Sequence, residues 1–153
     1  MPRQEKISAF NIVDESRKSS ALILDLLKRH KIPTAGFVIG QKIAGEGDKF
    51  NLIERKAAQD ILTDWKRAGV VLGNHTQTHP ALSVIGLEPY IKDAEQSREG
   101  MAPFIGEPSV ANPQFFRFPY LDEGNTADEF DGFKKWLAQN YYIPAPVSIS
   151  LHD

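Results

Sequence analysis

Short apolar runs alternate with longer segments of helical periodicity along this chain. Residues 7–13 (ISAFNIV) predict a buried strand, and residues 21–30 (ALILDLLKRH) carry apolar side chains at helical spacing with basic residues in the last turn. Pro33 breaks that pattern, and residues 34–39 (TAGFVI) predict a second strand. Across residues 50–68, Leu52, Ile53, Ala57, Ile61, Leu62 and Trp65 recur at helical intervals, with Gly69 as the expected stop. Residues 70–72 (VVL) then predict a third strand. Helices are expected over residues 87–101, capped near Gly86 or Ser83, and over residues 128–140. Strands are expected over residues 115–118, ended by Pro119, and over residues 147–151. Strand and helix in alternation predict an α/β fold with a mainly parallel sheet, open or curled toward a barrel.

Composition narrows the function classes. At 153 residues the chain is read as a single domain, residues 1–153, large enough for a real core. A net charge of -2, with both signs interspersed, carries no nucleic-acid footprint and no anionic-membrane surface. No apolar run approaches the roughly 20 residues of a membrane span, and the start MPRQEKISAF has no signal-peptide apolar core. The absence of cysteine removes disulfides, thiolate nucleophiles and cysteine zinc sites, and leaves the compartment unreadable.

In parallel α/β folds the working residues lie just past the C-terminal ends of strands. Asp14 and Glu15 follow the first expected strand, His75 and His79 follow the third, and Arg117, Pro119 and Tyr120 surround the end of the fourth. A pair of histidines in the pattern H-x-x-x-H can share a cation, and it can equally be two solvated side chains. Its flanks favour the first: Gly73 and Asn74 permit a sharp turn, Thr76 and Thr78 can orient ring nitrogens, and Pro80 stiffens the exit. Asp14 and Glu15 read either as a solvated strand end capping the next helix, or as a base beside an oxygen ligand. Arg117 lies among aromatic residues in FFRFPY, where a guanidinium needs a carboxylate; it reads either as half of a structural ion pair or as the partner that orients Asp14 and keeps it ionised. Tyr120 can offer its backbone N–H to a developing oxyanion.

Taken in order, VDE at 13–15, GNHTQTHP at 73–80 and FFRFPY at 115–120 resemble the polysaccharide deacetylase family, carbohydrate esterase family four. KRHKIPTAGFVIG at 28–40 and AGVVLGNHTQTHP from residue 68 extend the resemblance, which spans roughly residues 7–149. It implies a metal-dependent deacetylase of N- or O-acetylated oligo- or polysaccharides on a distorted β/α barrel. It further implies a divalent cation, usually zinc, on Glu15, His75 and His79. Asp14 would be the base, Arg117 its tether, and the Tyr120 N–H an oxyanion donor.

The sequence departs from the family pattern at three places. Glu15 stands where aspartate is expected. Ser150 takes the place of one late aspartate, with Asp153 matching a second. The leucine-x-histidine motif that supplies the general acid lies beyond residue 153, and His152 is not assigned that role. Five strands are readable where the family barrel has about seven or eight, so the expectation is a shortened or C-terminally truncated domain. The exposed sheet edges of such a domain could be covered by a second copy. A relative lacking the acid would bind metal or sugar without turnover, which is the alternative reading.

Overall fold

The computed structural model describes residues 9–44 and 52–147, with backbone alone for residues 9–14. The helices are α1 (Ala9–His30), α2 (Gln41–Ala44), α3 (Leu52–Arg67), α4 (Leu82–Ile85), α5 (Leu87–Ile105) and α6 (Ala127–Gln139). The strands among the described residues are β1 (Ala35–Val38), β2 (Val71–Asn74), β3 (Gln114–Phe116) and β4 (Tyr142–Pro144), and a 3₁₀ turn covers Pro119–Leu121. All four strands are parallel and lie in chain order, β1-β2-β3-β4. Parallel crossovers are right-handed, so a sheet whose spatial order equals its chain order carries its crossover helices on one face. This is the winding of a β/α barrel.

The expected strand over residues 7–13 is corrected by the structure: from Ala9 onward the backbone is helical and runs unbroken to His30. A short apolar run does not distinguish a buried strand from a buried helix turn. No glycine or proline interrupts residues 9–30, so the strong helix signal of residues 21–30 propagates upstream. Residues 148–151 of the expected last strand lie outside the described residues. The strand that follows α6 is β4 instead, beginning at the buried Tyr142. It goes unseen in the sequence because only three residues long and ending in proline, it has no periodicity to read. The other expected helices and strands are present with shifted ends.

Side-chain alternation divides the sheet into two faces. Leu72, Asn74, Phe116 and Tyr142 point into the helix layer. There Tyr90, Ala94, Phe116, Phe118, Phe133, Trp136, Leu137 and Tyr142 form an aromatic core, and Leu72 joins Ile43, Leu62 and Met101 in a second cluster. The opposite face carries Phe37, Gly73, His75, Phe115 and Arg117. Gly73 is needed there: a Cβ would lie 2.7 Å from the Phe115 carbonyl oxygen and 2.9 Å from the Phe37 ring. The two faces therefore do different work. The aromatic core holds the strands, and the other face presents polar groups at their C-terminal ends.

Helix α1 packs on α3, with Trp65 Nε1 donating to Ser20 Oγ at 2.6 Å and Arg17 paired with Asp60 at 2.6 Å. Helix α6 starts at a capping box, in which the Thr126 hydroxyl accepts the Glu129 N–H and the Glu129 carboxylate accepts the Thr126 N–H. No helix among the described residues is long and apolar enough to cross a membrane.

Candidate functional site

Parallel pairing places the ends of β1, β2 and β3 side by side, and the ladder continues one step beyond the strands. His75 N–H donates to Val38 O at 3.0 Å, Arg117 N–H to Asn74 O at 3.0 Å, and Ala145 N–H to Phe116 O at 2.8 Å. His75 and Arg117 are thus neighbours by register, although 42 residues apart in the chain.

The histidine segment is a turn whose backbone N–H groups are all bonded. Asn74, completely buried, accepts the Thr76 N–H on Oδ1 at 2.8 Å and donates from Nδ2 to Ala94 O at 3.0 Å and to the Tyr142 hydroxyl at 3.2 Å. The Asp93 carboxylate of α5 accepts the Gln77 N–H at 2.7 Å, the Thr78 N–H at 3.0 Å and the Thr78 hydroxyl at 2.7 Å. His79 N–H donates to Thr76 Oγ1 at 3.1 Å. Every backbone N–H from His75 to His79 therefore has an acceptor. Those bonds hold two residues in the left-handed region, Thr76 at φ 67° and His79 at φ 62°. A β-branched threonine rarely adopts that conformation, at a cost of about 1–3 kcal/mol.

The turn brings the two imidazoles together. Their Nε2 atoms are 3.1 Å apart and their rings meet edge to face at 4.7 Å between centroids. His75 Nδ1 lies 2.8 Å from the Arg117 carbonyl, which accepts only if Nδ1 carries the proton; Nε2 then presents a lone pair. The 3.1 Å contact then has His79 Nε2 as donor, and ligation of a cation by His79 requires its other tautomer, with the proton on Nδ1. Burial lowers the His75 pKa below its ordinary value of 6.5, with the charges of His79 and Arg117 adding to the effect and the Arg117 carbonyl opposing it. Neutral imidazole is the form that ligates metal.

A divalent cation fits this donor pair. Two zinc–nitrogen bonds at a tetrahedral angle hold their nitrogens roughly 3.3 Å apart. The backbone carbonyl on Nδ1 is the outer partner that orients a ligating histidine. The described residues supply two donors and no third, since no cluster of three His, Asp or Glu side chains converges among them. Glu15 is described and exposed on α1 and does not join the imidazoles. The reason is the helix itself: residues 13–15 continue α1 and do not end a strand beside β2. The Asp14 side chain lies outside the described residues.

Arg117 stacks its guanidinium over the Phe37 ring at 4.3 Å and donates from Nε to Ala145 O at 3.4 Å. No carboxylate among the described residues lies within ion-pair distance of it. Tyr120 is 72% exposed at φ 58°, and its ring packs edge to face on His79 at 4.7 Å between centroids. No acceptor among the described residues takes its N–H. Below it, Asp122 accepts the Ser83 N–H, the Ser83 hydroxyl and the Gly124 N–H, tying this loop to α4. Burial alone would raise the Asp122 carboxyl, and those three bonds together hold it below the ordinary 3.8.

The structure thus unites His75, His79, Arg117 and Tyr120. Asn74, Asp93, Phe37 and Tyr142, absent from the sequence reading as site residues, support them. Only Asn74 had a local signal, its place directly before His75. Asp93 and Tyr142 reach the turn from distant segments and leave none.

The sequence model described as polysaccharide deacetylase matches residues 2–131. The chain belongs to the polysaccharide deacetylase family. A peptidoglycan-N-acetylglucosamine deacetylase of Bacillus cereus is 30% identical over 131 residues, covering 86% of this chain and 40% of that protein. A chitooligosaccharide deacetylase of Sinorhizobium fredii is 33% identical over 98 residues, covering 64% and 39%. A crystal structure of a peptidoglycan N-acetylglucosamine deacetylase, in complex with 4-naphthalen-1-yl-N-oxidanyl-benzamide, superposes with TM-score 0.57 at 26% identity. It covers 82% of this chain and 49% of its own. This member of the polysaccharide deacetylase family therefore spans less than half the length of these relatives. Its four-stranded sheet matches part of their β/α barrel fold.

Proposed function

We propose that the chain takes part in removing acetyl groups from N- or O-acetylated saccharides, with a divalent cation, zinc foremost, held by His75 and His79. The observation that carries this reading is the pair of Nε2 atoms 3.1 Å apart, one of them fixed as a lone pair by the Arg117 carbonyl. The relatives' names supply the substrate class. When bound, the cation would polarise the acetyl carbonyl and acidify a water.

The chain's own residues would do the rest. The Tyr120 N–H, held open by its left-handed backbone, would donate to the oxygen that gains charge as the carbonyl becomes tetrahedral. Arg117, kept at the strand ends by Phe37 and Ala145, would attract a carboxylate to the rim of the site, with Asp14 the candidate base. A carboxylate in that position would remain ionised and could take the proton of the attacking water. The third metal donor is to be sought beyond the described residues, not at Glu15.

A second reading is metal or sugar binding without turnover. It is favoured by the absence of a third metal donor, and of a carboxylate on Arg117, among the described residues. Zinc titration by calorimetry, followed by acetate release from N-acetylglucosamine oligomers, separates the two. Zinc binding lost in His75→Ala with acetate released by the wild type supports deacetylation. Zinc binding with no acetate leaves the second reading, and no zinc binding removes both as metal sites.

A further inference from the structure

We propose that Asp93 is a positioning residue whose carboxylate sets the distance between His75 and His79. The two histidines are held by different means. His75 extends β2, its N–H bonded to Val38 O and its Nδ1 facing the Arg117 carbonyl, so the sheet alone fixes it. His79 has no strand to hold it, and its backbone at φ 62° is set by the turn before it. Midway through that turn, one Asp93 oxygen takes two successive amides, those of Gln77 and Thr78, while the other takes the Thr78 hydroxyl.

Consecutive amides converging on one oxygen form a concave anion seat, and here α5 fills it with its own side chain. The next residue on α5, Ala94, receives the Asn74 amide through its carbonyl. One turn of α5 therefore grips the segment at its first residue and at its middle. That turn is itself anchored, because Tyr90 and Ala94 are fully buried in the aromatic core. The placement of His79 against His75 and Tyr120 thus follows from the position of α5. Without the carboxylate, two amides would seek solvent and the turn would relax away from the left-handed geometry at Thr76 and His79.

The test compares Asp93→Ala, Asp93→Asn and the wild type, using full-length chain shown to be folded by circular dichroism. The first readout is metal-free: ring-to-ring cross-relaxation between His75 and His79 by NMR. Asp93→Ala is expected to lose that contact. Asp93→Asn is expected to keep it, because the amide oxygen can still accept both N–H groups. The second readout is zinc alone, for which Asp93→Ala is expected to weaken binding by about 10–100-fold and Asp93→Asn by less than about threefold.

This second arm rests on the metal reading above. If the wild type binds no zinc, that reading falls, and the ring contact by itself decides the present proposal. Thr126→Ala, which removes the remote capping box of α6, controls for stability: it should leave both readouts unmoved. Should Asp93→Ala not fold, Asp93→Glu replaces it, with the charge kept, the carboxylate one methylene further out and the ring contact expected to shift. Retention of the ring contact in folded Asp93→Ala, or in Asp93→Glu where that variant replaces it, overturns the proposal. So does its loss in Thr126→Ala.

Discussion

Replacing Asn74 by alanine should cost far more than one lost hydrogen bond. The side chain is fully buried and makes three bonds, to the Thr76 N–H, the Ala94 carbonyl and the Tyr142 hydroxyl. The Ala94 carbonyl lies inside α5, where the amide four residues on also engages it. Truncation therefore orphans two groups, a backbone N–H and a buried hydroxyl. Each costs about 1–3 kcal/mol, so the expected loss is about 4 kcal/mol, a large share of the 5–15 kcal/mol by which domains are ordinarily stable. Urea unfolding followed by tryptophan fluorescence measures it.

The double variant Asn74→Ala, Tyr142→Phe sharpens the test. In the wild-type background Tyr142→Phe should cost about 1 kcal/mol, and in the Asn74→Ala background it should cost nothing or restore stability, because it removes the orphaned hydroxyl. Strict additivity of the two changes, or an Asn74→Ala loss below about 1 kcal/mol, would refute the account of Asn74 as the buried anchor of the histidine turn.

Other expectations follow from particular contacts. Gly73→Ala should destabilise by about 1–3 kcal/mol and displace Phe37 from beneath Arg117, read by thermal unfolding and by the ring shifts of Phe37. Tyr120→Phe should leave any acetate release unchanged, since the ring edge against His79 and the backbone N–H both survive; a loss would assign a role to the hydroxyl. For Asp122, whose folded-state pKa lies below the ordinary 3.8, the unfolded chain binds more protons between the two values. Its stabilising contribution is present above pH 3.8 and lost as pH falls through the lower folded value. Asp122→Asn should therefore flatten the acid limb of the stability–pH curve, and an unchanged limb would contradict it.

Much of the scaffold was legible because its signals are local. The helical spacing of Leu52, Ala57, Ile61 and Trp65, the glycine stop at Gly69, and the run leading into His75 each depend on neighbours along the chain. The alternation of such segments implied a parallel sheet, and parallel strands align their ends, so the meeting of His75 with the segment of Arg117 was already implicit. Where the signal was ambiguous the reading failed. Residues 9–13 carry no feature that excludes a helix, and the long pattern that follows drew them into α1, taking Glu15 away from the imidazoles.

What only the tertiary structure decided concerns how the site is held. The lowered pKa of His75 comes from burial and its tautomer from a carbonyl 42 residues away, the left-handed turn at Thr76 and His79 from Asn74 and Asp93, and the buried seat of Asn74 from Tyr142 on β4. Apart from Asn74, none of these partners is near the motif in sequence. Periodicity and turn chemistry are properties of neighbouring residues. Desolvation and the pairing of buried donors with acceptors exist only once distant segments have closed around them.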